Sequence, residues 1–279
     1  MSAATRPSIA DRRRTFREMH AAGCFILPNP WDPGGARYLQ SLGFKAIATT
    51  SSGFAWTRAC PDNGITRDMA LAHLREMVDA TDLPVNADFE GGFAADAAGV
   101  GESVRLCVET GVAALSIEDS TGDATRPLYE LPLAVDRMRA ARRAIDQAGG
   151  DTLLVGRAEG FLVGRPDLAE AIARLKAYSA AGADCLYAPG IRTREDIAAV
   201  VAAVAPKPVN VLIGWASDLT LAELAALGVR RVSVGGALAR CAWGGFMRAA
   251  KRMAEEGRFD GFEGAASGAD LNALFRGGG

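Results

Sequence analysis

Histidine is almost missing from this chain. Only His20 and His73 occur in 279 residues, and both fall in helical patterns away from strand ends, which argues against a zinc centre. Paired cysteines are missing too. Cys24, Cys60, Cys107, Cys185 and Cys241 are scattered without any C-x-x-C spacing, and an odd count suits reduced thiols in a cytosol better than a disulfide framework. No apolar stretch approaches the roughly 20 residues of a membrane helix, the longest being Ile197 to Ala205. The opening "MSAATRPSIADRRRTFREMH" has no apolar core of the signal-peptide kind. A strong charge of either sign is absent as well: 31 Lys and Arg face 33 Asp and Glu, and no basic stripe carries interleaved aromatics. The expectation is a cytoplasmic protein with neither nucleic acid nor membrane among its partners.

What the chain does have is apolar material, 49% of its residues, arranged in a rhythm. Short runs rich in Val, Ile and Ala alternate with longer stretches of three- and four-residue apolar spacing. Eight strands are predicted, at Cys24–Leu27, Ala46–Thr50, Val85–Ala87, Ala114–Ile117, Leu153–Val155, Cys185–Tyr187, Val209–Leu212 and Arg231–Val234. Helices are predicted to begin near Gly35, Arg67, Val100, Leu133, Pro166, Thr193, Leu219 and Ala237. One junction recurs in "SLGFKAIA", "ETGVAALS", "AAGADCLY" and "ALGVRRVS": a helix stops at Gly43, Gly111, Gly182 or Gly228 and an apolar strand follows. Glycine suits the position just past a helix because it takes the left-handed conformation without a Cβ clash. Eight βα units of this kind predict a single (β/α)8 TIM barrel. An open doubly wound sheet would want a G-x-G-x-x-G turn after an early strand, where this chain has "PNPWDPGG". The expected layout is an extra N-terminal helix over 1–22, the barrel over 23–254 and a C-terminal helical extension over 255–279. The apolar face of "DLNALF" in that extension needs a partner, either its own barrel or a neighbouring subunit, and the closing "GGG" reads as a frayed end.

Barrel enzymes build their sites at the C-terminal ends of strands. There the chain carries Asn29, Trp31 and Asp32, then "TTSS" from Thr49 to Ser52, Asp88 and Glu90 in "VNADFEGG", Glu118 and Asp119, Arg157 and Glu159, and Asn210. So many acids around one clear cation, Arg157, would repel each other at a desolvated rim unless something positive joined them. Oxygen ligands without usable histidine or paired thiolates describe a hard divalent cation, Mg2+ or Mn2+. A simpler reading stands beside this one. Asp32 and Asp119 could each cap a following helix, and Arg157 could form a structural ion pair with Glu159 or Glu118. The glycines of "SVGG", Ser233 to Gly236, leave open a phosphate site after strand eight.

The ordered blocks "NPWDPGGARYLQSLGFKAIATTSSGFA", "PDNGITRDMALAHLREM", "LPVNADFEGGF", "GVAALSIEDS", "GRAEGFL", "AYSAAGADCLYAPGI", "KPVNVL" and "LGVRRVSVGGALAR" resemble the isocitrate lyase/phosphoenolpyruvate mutase superfamily, from about Pro28 to Leu238. The resemblance implies a (β/α)8 barrel, a homo-oligomer (dimer or tetramer) that can exchange a terminal helix, and Mg2+ stabilising a pyruvate-like enolate. It implies metal-shell roles for Asp88 and Glu118, with Asn86 where the mutase-type "DAD" has its first aspartate. Arg157 would grip the carboxylate and enolate oxygen of a small anionic substrate, with Asp62 and Glu159 beside it in the catalytic group. Thr50, Ser51, Ser52 and Asn210, with Trp31 and Asp32, would contact the substrate, and a loop carrying Asp123, Arg126 and Tyr129 would close as a lid. The lyase segment "KKCGH", whose cysteine serves as general acid, is replaced by "EDSTGDATRPLYEL", which argues against isocitrate or methylisocitrate cleavage. The expected activity is a Mg-dependent lyase cleaving a C–C or P–C bond of a small 2-oxo or 2-hydroxy carboxylate. An oxaloacetate-type decarboxylase or hydrolase, a phosphonopyruvate or carboxyphosphonoenolpyruvate mutase, and a barrel that binds a metabolite without turnover are the alternatives.

Overall fold

The structure, a computed structural model, describes residues 6–276. The ends, including the expected fraying of 277–279, lie outside the described residues. Helix α1 (Ile9–Met19) precedes β1 (Phe25–Leu27), α2 (Pro33–Ser41), β2 (Ile47–Ala48), α3 (Ser51–Thr57), α4 (Arg67–Ala80), β3 (Val85–Asp88), α5 (Ala97–Glu109), β4 (Ala114–Glu118) and α6 (Leu131–Gln147). Then come β5 (Leu153–Arg157), α7 (Leu168–Ala180), β6 (Cys185–Tyr187), α8 (Arg194–Val204), β7 (Val209–Leu212), α9 (Leu221–Ala226), β8 (Arg231–Ser233), α10 (Ala237–Glu256), a 3-10 turn at Asp260–Phe262, and α11 (Gly268–Arg276). All eight strands are parallel, in the order β1-β8-β7-β6-β5-β4-β3-β2. Between β1 and β2 no ladder forms among the described residues, yet Ala48 N donates to Pro28 O at 3.0 Å, and Asn29 Nδ2 donates to Thr49 O at 2.8 Å. Those two bonds draw the sheet into the (β/α)8 barrel that the alternation predicts.

The four junction glycines take the left-handed backbone expected of them, with φ of 85° at Gly43, 89° at Gly111, 105° at Gly182 and 89° at Gly228. The large core lies between sheet and helices, where Ile47, Val85, Leu115, Leu154, Leu186 and Val209 meet Met77, Val104, Ile145, Leu175 and Val200. The inside of the barrel is a separate and smaller cluster. Its floor is Phe25, Ala46, Ala114 and Leu153, closed from below by Phe16 of α1.

The basic run in α1 has a structural task. Arg12 donates to the carbonyls of Val78 and Thr81, and Arg13 to those of Val108 and Val112. The first two lie at the C-terminal end of α4 and the other two at the end of α5 and in the turn after it, so α1 ties down two helix ends while it plugs the barrel.

Three elements depart from the expectation. "SSGFAW", read as loop, forms α3, because Thr50 Oγ1 accepts from Gly53 N at 3.3 Å and caps it. Strand two is accordingly shorter than the predicted 46–50. In the C-terminal extension, α10 continues to Glu256, and the ring of Phe275 in α11 packs over Gly34 of α2 on its own barrel. Leu271 and Phe275 stay about four-tenths exposed, at 45% and 41%. Among the described residues, no helix is long and apolar enough to cross a membrane.

Candidate active site

A cavity of about 280 Å³ opens at the C-terminal rim and runs down into the barrel. Its walls come from nearly every strand: Asn29, Thr49 to Ser52, Asp62, Asn86, Asp88, Ser116, Arg157, Tyr187, Asn210, Arg231 and Ser233. Strand parity explains why. Glu118, Arg157, Tyr187, Asn210 and Arg231 are successive register partners from β4 to β8, so all five side chains face the barrel interior.

Arg157 is the hub. Its Nη1 lies 3.0 Å from Asp88 Oδ1 and 3.2 Å from Glu118 Oε2, and its Nε meets Glu159 Oε1. Burial alone would lower the Arg157 pKa, yet Glu159, Glu118 and Asp88 together drive it well above its ordinary value. Glu118 and Glu159 are pushed up by burial, against the pull of Arg157. Asp88 is further held by Ser51, whose N and Oγ both donate to Oδ2 at 2.9 Å, while Asp88 N donates to Thr49 Oγ1 at 2.9 Å. The expected convergence of Asp88 and Glu118 is therefore present, centred on a guanidinium nitrogen.

Acids still outnumber the cation. Glu90, beside Asp88, Asp62 and Arg157, is raised to about 8, first by burial and then by the two aspartates. It sits in a left-handed backbone conformation with φ 47°, and its buried Oε1 has no protein partner. Asp62, on the loop before α4, is raised by desolvation and then by Asp88. Five carboxylates around one guanidinium, with an orphaned carboxylate oxygen among them, fit a hard divalent cation in donor type and in charge. Among the described residues no three such side chains form a ready-made cage, because Arg157 occupies the meeting point of the acids.

The structure separates the other expected residues. Thr50, Ser51, Ser52 and Asn210 line the cavity. Asn86 lines it too, but its Oδ1 accepts from Arg231 Nη1 at 3.0 Å, so the oxygen expected to face a metal is committed to an arginine. Asp32 does not line the cavity; its Oδ1 accepts from Gly35 N and caps α2, the simpler of its two readings. Trp31 packs beside Gly53 and faces a surface groove with Trp243 and Phe246. The three residues expected on a lid do not line the cavity either. Asp123 caps Thr125 within its own loop, Arg126 is exposed, and the Tyr129 ring lies 4.0 Å beneath the Arg137 guanidinium. Asp119 does not cap a helix. It accepts from Glu159 N at 2.8 Å, Arg174 Nη1 at 3.1 Å and the Tyr178 hydroxyl, a buried network that fixes the loop bearing Glu159. In "SVGG" the N–H groups of Val234 and Gly235 both donate to Asn29 Oδ1, at 2.9 and 3.0 Å, so these two are committed within the protein.

Residues that strand ends did not reveal include Arg231, which begins β8, and Arg192, stacked at 4.1 Å over Trp215 at the mouth. For Arg231 a signal existed: with Ser233 two residues on, it shares the inward parity of a barrel strand.

Over residues 16–254 the sequence matches the family model of phosphoenolpyruvate phosphomutase. A solved structure from Burkholderia cenocepacia J2315, provisionally called a lyase/mutase, is 49% identical, with a TM-score of 0.91 and 96% of each chain covered. Oxaloacetate decarboxylase of Chromohalobacter salexigens is 33% identical over 241 residues, 81% of this chain and 79% of that one. 2-Methylisocitrate lyase of Escherichia coli K12 is 32% identical over 160 residues, 54% of this chain and 53% of that one. A family model matched across the barrel, with kinship to lyases, mutases and decarboxylases, leads to one conclusion: the chain belongs to the phosphoenolpyruvate phosphomutase family, within the phosphoenolpyruvate mutase/isocitrate lyase superfamily of lyase-like enzymes.

Proposed function

We propose that the protein is a Mg2+- or Mn2+-dependent lyase that cleaves a C–C bond of a small 2-oxo carboxylate through a pyruvate-type enolate, with decarboxylation of an oxaloacetate-like acid as its reaction. The observation carrying this reading is the buried meeting of Asp88, Glu118 and Glu159 on Arg157, surrounded by a surplus of acids. In that reaction the bond to the departing carboxylate breaks, carbon dioxide leaves, and its electron pair moves onto the carbonyl oxygen. Protonation at carbon then gives the product.

Asp88 and Glu118 would hold the cation, with Asp62 and Glu90 balancing its charge. When bound, it supplies a Lewis acid to the developing oxyanion. Arg157 is held in place by three carboxylates, and no hydrogen bond leaves its Nη2 among the described residues, so this nitrogen is free to donate to a substrate oxygen. A donor fixed before the charge develops costs no reorganisation during the reaction. Ser52 and Thr50 offer hydroxyls at the rim, while Ser51 keeps Asp88 in position. The cavity lining includes no thiol among the described residues, which favours a reaction needing no cysteine acid over the isocitrate-type cleavage. We also propose a homo-oligomer, supported by the exposed Trp243, Phe246 and Met247 on α10.

The test is turnover of oxaloacetate with Mg2+, with Mn2+ and after chelation. A metal-dependent rate is expected, falling about 100-fold or more in Asp88→Asn, which keeps the shape of the side chain and removes its charge. Equal rates with and without metal, or a full rate in Asp88→Asn, would refute the reading. Ligand-induced stabilisation without any turnover would instead mark a metabolite-binding barrel.

A further inference from the structure

The barrel interior holds a second arginine that the proposed chemistry does not use. Arg231 is 2% exposed, yet it lines the inner part of the cavity. Its Nε donates to Asn210 Oδ1 at 2.9 Å and its Nη1 to Asn86 Oδ1 at 3.0 Å. Both partners are neutral carboxamides. Asn210 is in turn fixed by donating to Ser233 Oγ at 2.9 Å, and Asn86 by donating to Ala87 O at 3.0 Å. Among the described residues no carboxylate pairs with Arg231, and no hydrogen bond leaves its Nη2.

This arrangement is costly unless something completes it. A buried cation without a counter-charge bears a desolvation penalty that neutral amides offset only in part. The acids of the site lie elsewhere, gathered on Arg157. The register row that starts at Glu118 and Arg157, the last residues of β4 and β5, ends at Arg231, the first residue of β8. Because barrel strands are tilted, that row descends from the rim to the inside of the barrel. The rim is thus rich in acids, and the inner part of the cavity, just above the apolar floor, is positive. Two small side chains, Ala48 and Ser116, line the same cavity as Arg231.

With Nε and one Nη1 hydrogen spent, a guanidinium keeps three N–H donors, and those along its Nη1–Nη2 edge form the planar fork that matches a carboxylate. We propose that Arg231, held by Asn86 and Asn210, is the receptor for a second carboxylate of the ligand. A short dicarboxylate, the class to which the proposed oxaloacetate-like substrate already belongs, would then span the cavity from the Arg157 rim to Arg231, and the new element is the residue that receives its second end. Asn86 has a definite part here. An aspartate in its place would neutralise Arg231 from within the protein, whereas the amide orients the guanidinium and leaves its charge to the ligand. Arg231 and Asn86 are accordingly specificity-determining residues. The inference rests on the proposed use of this cavity for small carboxylates, and it is testable without turnover.

Calorimetric titration of the purified protein with succinate and with butyrate, equal in carbon count and differing by one carboxylate, measures the preference directly. Succinate is expected to bind at least tenfold more tightly. Arg231→Met, similar in length and uncharged, should reduce the preference to within about twofold, Arg231→Lys should retain part of it, and Asn86→Asp should lower it. Circular dichroism and thermal melting confirm that each variant is folded. The proposal is overturned if the native protein shows no preference for the diacid, or if folded Arg231→Met keeps it. Where oxaloacetate is turned over, Arg231→Met should raise KM about tenfold with a much smaller change in kcat. Loss of turnover with the binding preference intact would sink the lyase reading and leave this one standing; normal turnover with no preference would do the reverse.

Discussion

At the scale of the residue, Arg157 belongs to the fold as much as to the site. It neutralises Glu118 and Glu159, both buried, and removing it would leave their charges unpaired inside the barrel. Arg157→Ala is therefore expected to lose about 3–5 kcal/mol of stability at pH 7. Urea unfolding at pH 7 and 5 checks this, because protonation of the two acids at lower pH should return part of the loss. An alanine variant as stable as the native protein at both pH values would show that the cluster is not structural. Asp88, Glu118 and Arg157 were legible because each polar residue closes an apolar run, a local signal. Asn86 and Asp32 were not, because their assignments depended on which partner reached them first. The partner of Asn86 lies 145 residues along the chain, while that of Asp32 is the next helix's own backbone.

The elements carry the two histidines, and with them an acid sensitivity. His73 of α4 stacks on Phe54 of α3 with ring centroids 3.9 Å apart, and burial lowers its pKa to about 4. His20, at the end of α1, is lowered to about 3 by burial and then by Arg231. A base whose folded pKa is depressed stays neutral in the fold while the unfolded chain takes up a proton. Stability is then lost as pH falls from about 6.5 towards 4. The buried carboxylates with raised pKa act in the opposite direction, so the difference between two chains isolates the effect. Between pH 7 and pH 5 the native protein should lose roughly 2 kcal/mol more than His73→Leu, measured by urea unfolding. Equal losses would contradict a buried neutral imidazole. The αβ junctions were readable because glycine answers a backbone demand set within a few residues. Helix α3 was not: its start depends on Thr50 capping Gly53, and hydroxyls in a "TTSS" run serve a loop equally well.

For the whole molecule, the apolar surface beside the cavity mouth matters, where Arg240 lines both the cavity and a neighbouring groove. Phe246 and Met247 on α10 are 63% and 61% exposed, and Phe246, with Trp243, Trp31 and Trp56, borders two shallow apolar grooves. An apolar face of this kind is an interaction surface more often than idle exposure. Light scattering should give a multiple of the 29.1 kDa chain mass, and Phe246→Asp should shift it toward a single chain. A native mass of one chain would refute the oligomer. The sequence by itself determined the eightfold alternation, the inward polar rim and the surplus of acids, since strand parity, helix period and strand-end polarity are written in neighbouring residues. Tertiary structure alone decided that Arg157 gathers the carboxylates, that Asp123, Arg126 and Tyr129 do not line the cavity, and that Arg231 stands among amides. Those outcomes depend on which distant groups share a desolvated interior, and Coulomb energy there is set by separation in space, which spacing along the chain does not record.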